Sequence, residues 1–435
     1  MEQLEQTGLK RQISLGPAIA AVAGEAIAVG IFLTPAAMAR ALASPFWLLI
    51  VWALMGFMAV TGAICYGQLA SRFPAAGGSY IYLREGFGKP FAFLYGWMSL
   101  FVMDPGVAAA LAIGLAAYLG SIVPLSPLAM KAVAVAVILF IAALNIRGAS
   151  LGAHFLAAVT WLKFGLLAWL VVWAVTLQLG SWSNFVPFVR RPSGSLPLSS
   201  ALSASCLAAF FSFGGWWDAS KLAGEITDPE RNLPRALLVG VSLVTAAYVL
   251  VSGVFLYLVP VKLITSDQTF VAQAGARLFG PAGGRILAGL VVACVLGSLA
   301  AQMMASPRVY YAMGRDHGFF RGIASLHPRF ETPAGAIAIQ AIFATVLVLL
   351  GSFSQIIAYF IFAAVVFIAL TVASLVRLPA IPANSPRSLW AAWTFLALAS
   401  MLLFLIALKS PLQSLLGMFV VLFGAICYAI FFKGR

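Results

Sequence analysis

Charge is scarce in this chain. Of 435 residues, 9% are Asp, Glu, Lys or Arg and 63% are hydrophobic. So little polar material cannot clothe a water-soluble fold of this size, which excludes that class. Histidine is nearly missing: His154, His317 and His327 are the three present. No His-Glu-x-x-His pattern occurs, so an intramembrane metalloprotease would lack its usual constellation. The four cysteines, Cys65, Cys206, Cys294 and Cys427, make no short metal-ligand spacing. They read as small apolar fillers within the membrane. The expected outer loops carry no cysteine, so no disulfide-linked ancillary subunit is expected. The alternating ten-residue segments of an outer-membrane barrel are absent. So are the repeated filter and charged ring of a channel. Nothing calls for a cofactor or a metal.

What is present is a series of long apolar runs. Ala41–Ser71, Pro105–Met130, Ala236–Val261 and Ser410–Phe432 carry no charge. Each exceeds the roughly 20 helical residues that cross a bilayer core. Thr332–Val376 is charge-free for 45 residues, enough for two spans. The expectation is an all-α integral membrane protein of about twelve spans, because helices satisfy their own backbone in lipid. The net charge of +14 does not indicate nucleic acid, since the positives punctuate the apolar runs. With the N-terminus inside, sixteen Lys and Arg fall on inner connections and eight on outer ones. That bias puts both termini in the cytoplasm. No cleavable signal is evident, and the expected place is a cell membrane, specifically a bacterial inner membrane.

Two spans look broken. The first reads Ala23-Gly24-Glu25-Ala26-Ile27-Ala28-Val29-Gly30-Ile31-Phe32, and the sixth reads Phe211-Ser212-Phe213-Gly214-Gly215-Trp216-Trp217-Asp218. Glycine weakens a helix and lets the backbone unwind. Unwinding is tolerated at membrane depth where it lines a cavity. Breaks five spans apart point to two five-helix repeats of opposite topology with a midplane site. Close packing of helices through small residues is the competing account.

Four motifs resemble the amino acid–polyamine–organocation superfamily, and its L-type amino acid transporter branch in particular. They are Phe73–Gly88, the broken sixth span followed by Gly224–Arg235, Gly30–Pro35, and Ser306–Asp316. The resemblance implies a LeuT-type 5+5 inverted repeat over residues 14–380. A leader over 1–13 precedes it, and helices 11–12 with a short tail occupy 381–435. It implies amino acid transport. Amides of the unwound first span, at Ala28, Val29 and Gly30 beside Ala26, would hold the substrate carboxylate. Carbonyls of Phe211, Ser212 and Gly214 would hold its ammonium, with Phe211 as an aromatic gate. Half-helix ends of opposite polarity suit a zwitterion. The family usually has Gly-Ser-Gly where this chain has Ala28-Val29-Gly30, which removes a hydroxyl and raises the floor toward small substrates.

Five ionisable residues are expected at membrane depth: Glu25, Asp104, Lys163, Asp218 and Lys221. Each costs about 2.5–3.5 kcal/mol on insertion scales unless paired or hydrated. Lys163 matches a lysine of sodium-independent family members, which implies an ammonium tethering helices 1 and 5 in place of sodium. Glu25 has three open readings: counter-ion of a cationic substrate, proton carrier, or partner of Lys163 or Lys221. Asp104 precedes Pro105, which can kink its helix. Asp218 and Lys221 sit three apart, as a pair on one helix face would. With three acids and two lysines, one acid is expected to lack a partner. Glu225, Arg231, Arg84, Glu85 and Arg308 lie on inner connections, as gate ion pairs or as solvated charges. The leading expectation is a sodium-independent exchanger of small neutral L-amino acids, working as a monomer by alternating access. The alternative is a proton-coupled carrier of cationic amino acids or amines.

Overall fold

The computed structural model describes residues 11–28, 30–147, 149–264, 267–317, 323–351, 353–379, 389–409 and 411–431. Val29, most of the leader and the last four residues lie outside these. The first span is two helices, α1 (Leu15–Ala26) and α2 (Gly30–Leu42). α3 (Pro45–Arg72) is continuous, and α4 (Ser79–Phe87) is a short connecting helix. The third span joins α5 (Lys89–Met98) to α6 (Asp104–Ile122) through a five-residue π turn, Ser99–Met103. α7 (Pro127–Ile146) and α8 (Ala149–Thr176) complete the first half. The sixth span pairs α9 (Leu198–Phe213) with a 3-10 segment, Trp216–Glu225. α10 (Pro229–Leu258), α11 (Asp267–Phe279), α12 (Gly283–Ala305) and α13 (Pro307–His317) follow. α14 (Ala334–Leu350), α15 (Phe353–Arg377), α16 (Leu389–Lys409) and α17 (Pro411–Phe431) end the chain.

Among the described residues, eight stretches are long and apolar enough to cross a membrane, and four shorter apolar helices accompany them. Together they match the dozen spans read from the sequence. Leu139, Phe140, Trp169, Phe404, Phe419 and Ile430 point outward. Such a surface needs lipid rather than water as its solvent.

Both broken spans sit inside this bundle. α1 packs against α8, α10 and α12, so it has helical neighbours rather than lipid around it. α2 packs on α9, while α1 packs on the 3-10 segment. The later half of one span thus meets the earlier half of the other, so the two spans run in opposite directions and bring their breaks together. Two glycines make this approach possible. Gly215 has φ 104°, and a Cβ there would lie 2.5 Å from Glu25 Cγ. A Cβ on Gly30 would lie 2.7 Å from the Ser212 Cα. A side chain at either position would push the breaks apart.

The face of the bundle that carries the N-terminus is tied shut. Gln12 and Ile13 donate their amides to Glu225 O at 2.8 and 2.9 Å. Thr227 N–H returns a bond to Ile13 O at 2.9 Å, making an isolated parallel bridge. Directly beneath, Arg308 donates to both carboxylate oxygens of Glu225, at 2.7 and 3.2 Å. Both side chains are almost completely buried. Arg308 also donates to Met304 O. Nearby, Arg84 reaches Asp316 at 2.7 Å and Glu85 at 3.1 Å, and Tyr80 donates to Asp316 at 3.1 Å. Arg231 departs from the expected set: it lies 3.9 Å from Asp228, and both are exposed. Such a pair contributes little.

Removing one partner of a buried, bidentate pair costs about 3–5 kcal/mol, because the other charge is stranded. Arg308→Met is therefore expected to lower the melting midpoint of the detergent-purified protein sharply. Adding Glu225→Gln should restore much of the loss. Equal melting of the single and double variants would show that the pair does not hold this face.

Candidate substrate site

The first break begins where α1 runs out of hydrogen bonds. The last four carbonyls of a helix have no partner within it. Ile27 still donates to Ala23 O at 3.0 Å, and Ala28 folds back onto Ala26 O at 2.8 Å. Gly24 O and Ile27 O are served from outside α1. Lys163, from α8, donates to them at 2.9 and 3.1 Å, and to Ser298 Oγ of α12 at 2.8 Å. Ser298 Oγ lies 2.6 Å from Gly24 O and 2.9 Å from Ile27 O, donating to one at a time. All three ammonium hydrogens of Lys163 are thereby engaged, and the lysine is buried.

A second tether joins the two breaks. Tyr248, from α10, lies 2.6 Å from both Ala26 O and Ser212 O and shares its single hydroxyl hydrogen between them. Its ring is fixed edge-on against Trp52 and Phe213, each at 5.0 Å between centroids. Thr34 donates to Gly30 O at 2.8 Å, and its hydroxyl meets that of Ser212 at 2.8 Å.

Of the positions expected to bind substrate, Ala26, Ala28, Gly30, Phe211, Ser212 and Gly214 all line one cavity between the breaks. Val29 lies outside the described residues. Not every expected backbone group is idle. The Ala28 amide is engaged with Ala26 O, Phe211 O accepts from Gly214 N–H at 3.0 Å, and Ser212 O accepts from Tyr248. Each carbonyl keeps a second lone pair. Gly30 opens α2, so its amide is one of the four that a helix start leaves without an intrahelical partner.

The ionisable residues form a cluster beside this cavity. Asp104 is buried and fully engaged. Its Oδ1 accepts from Lys221 at 3.0 Å, and its Oδ2 accepts from Tyr310 at 2.8 Å and from Ser99. The Ser99 contact depends on the π turn, which brings a residue five places earlier onto the same face. Lys221 also donates to Ser306 at 3.2 Å and lies 2.9 Å from Asp218 Oδ1, off-line for a hydrogen bond. That pairing was expected on an α-helix. It occurs on a 3-10 segment, where residues three apart eclipse and are drawn closer.

Glu25 corrects one of its readings. Lys163 and Lys221 are both engaged elsewhere, and Glu25 pairs with neither. Its carboxyl packs over Gly215 and adjoins Asp218. Among the described residues its Oε1 is buried without a hydrogen-bond partner, and the residue lines the cavity. Glu25 is the acid left over from the count of three acids against two lysines.

Several lining residues escaped the sequence reading. Phe210 stacks on Trp217 at 6.1 Å, and both face the cavity with Met103. Among 33 Phe and 11 Trp nothing in one sequence singles them out. Ser298 and Tyr248 carried no local signal either. Each acts on a carbonyl more than two hundred residues away in sequence.

Comparison with known proteins agrees with this geometry. The amino acid permease family matches residues 13–432, nearly the whole chain. The chain is 26% identical over 351 residues to the serine/threonine exchanger SteT of Bacillus subtilis, covering 80% of this chain and 78% of that protein. It is 28% identical over 380 residues to the human b(0,+)-type amino acid transporter 1, covering 86% and 77%. It is 24% identical over 446 residues to the human cystine/glutamate transporter, covering 98% and 86%. A cavity between two broken antiparallel helices, in a chain matched almost end to end, identifies this protein as a member of the amino acid permease family.

Proposed function

We propose that this chain is a sodium-independent secondary transporter that exchanges small L-amino acids across a membrane by alternating access. The observation that carries the reading is the Lys163 ammonium on Gly24 O and Ile27 O, shared with Ser298. A fixed cation on the freed carbonyls of the first break leaves no need for a dissolved one. The breaks supply the binding chemistry. The Gly30 amide at a helix start attracts a carboxylate, and the carbonyls at the end of the half-helix α9 attract an ammonium. Phe211 is half-buried at the cavity wall, where a substrate gate is needed. The relatives reported above are named as amino acid exchangers or transporters, which supports transport without catalysis.

In this reading the repeat core spans 14–380 and both termini face the cytoplasm. The Glu225–Arg308 pair and the N-terminal clip then close the inner side. Ala28 raises the cavity floor, and Phe210 and Trp217 close in its wall, which suits a small substrate. Cys65, Cys206 and Cys294 are buried and Cys427 is half-buried, all as free thiols. In this reading the chain works as a monomer, and the burial of Cys65, Cys206 and Cys294 keeps those thiols from an ancillary subunit.

Counterflow in liposomes tests the proposal. Uptake of labelled L-alanine or L-serine should saturate, require a counter-substrate inside, and be indifferent to sodium. Linear uptake without a counter-substrate would indicate a pore. Lys163→Ala should cut exchange about tenfold or more, on the scale of losing hydrogen bonds from a charged group. Full activity in Lys163→Ala without sodium would sink the tether, whereas activity restored by sodium would support it.

A further inference from the structure

Taking the cavity as the substrate site, we infer that Glu25, with Asp218 beside it, is the counter-ion of a substrate ammonium, and that the preferred substrate carries a net charge of +1. The charge inventory leads there. Three carboxylates and two ammonium groups lie in and beside the cavity: Glu25, Asp104, Asp218, Lys163 and Lys221. With all five ionised, one negative charge is left over. The geometry says where it resides. Lys163 is engaged by two carbonyls and a serine. Lys221 bridges Asp104 and Asp218. Asp104 has further donors in Tyr310 and Ser99. Glu25 has none of these donors: among the described residues its Oε1 has no hydrogen-bond partner, although the residue is only 5% exposed.

A lone carboxylate in a water-poor cavity is costly, and more so beside a second carboxylate. A cation bound there relieves both terms. A zwitterionic amino acid brings no net charge and leaves the surplus standing. A cationic amine or diamino acid cancels it. The remaining walls fit the same ligand. Phe210, Phe211 and Trp217 line the same cavity, and aromatic rings attract an ammonium and accept an apolar stem. The break in α9 at Gly214-Gly215, where a substrate ammonium is expected, is the place over which Glu25 packs.

Two cations compete for this position, an ammonium and a proton, so the test must separate them. Asp218 and Lys221 on the 3-10 segment, Asp104 on α6 and Lys163 on α8 all act on Glu25 and contribute to any pH profile. Wild type, Glu25→Gln and Glu25→Asp would be placed in sodium-free liposomes containing a trapped pH-sensitive dye. Exchange would be measured with L-alanine, L-alaninamide and L-ornithine. L-Alaninamide is close in shape to alanine but carries one positive charge.

The expected result is a kcat/KM for L-alaninamide or L-ornithine at least about tenfold above that for L-alanine in wild type. That ratio should fall by about tenfold or more in Glu25→Gln, as for loss of a charge-assisted bond. Glu25→Asp, which keeps the charge, should retain part of the preference. In detergent, L-ornithine should raise the wild-type melting midpoint more than L-alanine does, and Glu25→Gln should abolish the difference. The wild-type arm decides even where a variant fails to fold. Efficient exchange of L-alanine with no preference for the cations would overturn the inference and leave amino acid transport standing. Alanine entry with one proton per molecule, lost in Glu25→Gln, would also overturn it and give the position to a proton. Failure of every probe to exchange in wild type would overturn this inference and the transport proposal together.

Discussion

A carbonyl freed at membrane depth finds no water, and the centre of this protein is organised around that constraint. The first broken span releases Gly24 O, Ala26 O and Ile27 O, and the sixth exposes Ser212 O. Each is met by a side chain delivered from another helix: Lys163 from α8, Ser298 from α12, Tyr248 from α10. Those three contacts seat the two breaks against the bundle. They allow a stretch of unwound backbone to persist where an intact helix would otherwise be required.

Once the breaks are held, the rest of the site follows. Their antiparallel arrangement places a helix start from one span near a helix end from the other. Opposite partial charges then face one cavity. Asp104, Lys221 and Asp218 join α6 to the 3-10 segment, and Ser306 and Tyr310 link the same group to the connection at α13. The Glu225–Arg308 pair lies at the end of that segment, so the buried cluster is continuous with the contacts that tie the N-terminal face. A rotation of the 3-10 segment would act on all of these contacts at once, which is the kind of coupling the proposed alternating access would use.

Much of this was legible in the residues. Long charge-free runs gave the membrane class and the number of spans, because bilayer thickness and helical rise leave few other solutions. Paired glycines marked the sixth break, and Gly24 and Gly30 the first. The rarity of charge in the spans made Glu25, Asp104, Lys163, Asp218 and Lys221 stand out, since each costs free energy that local structure cannot repay. Other features were not legible. The π turn before Asp104 has no distinctive sequence. The 3-10 segment Trp216–Glu225 packs against α1 and α10, and its winding has no distinctive sequence either. Phe210, Trp217, Tyr248 and Ser298 are ordinary residues in an apolar chain, and contacts across the fold give them their roles.

Glu25 shows where the boundary falls. Its sequence position alone determined that a carboxyl would enter the membrane on a broken helix, and composition determined that acids there outnumber lysines by one. Which acid goes without a partner could not be read from spacing. A buried charge is balanced by whatever lies within a few ångströms in space. Lys163 was drawn to backbone carbonyls and Lys221 to Asp104 and Asp218, so Glu25 was left facing the cavity. Only the tertiary structure decided that, because the competing partners come from α8, α6, α12 and the 3-10 segment, which nothing but folding brings together.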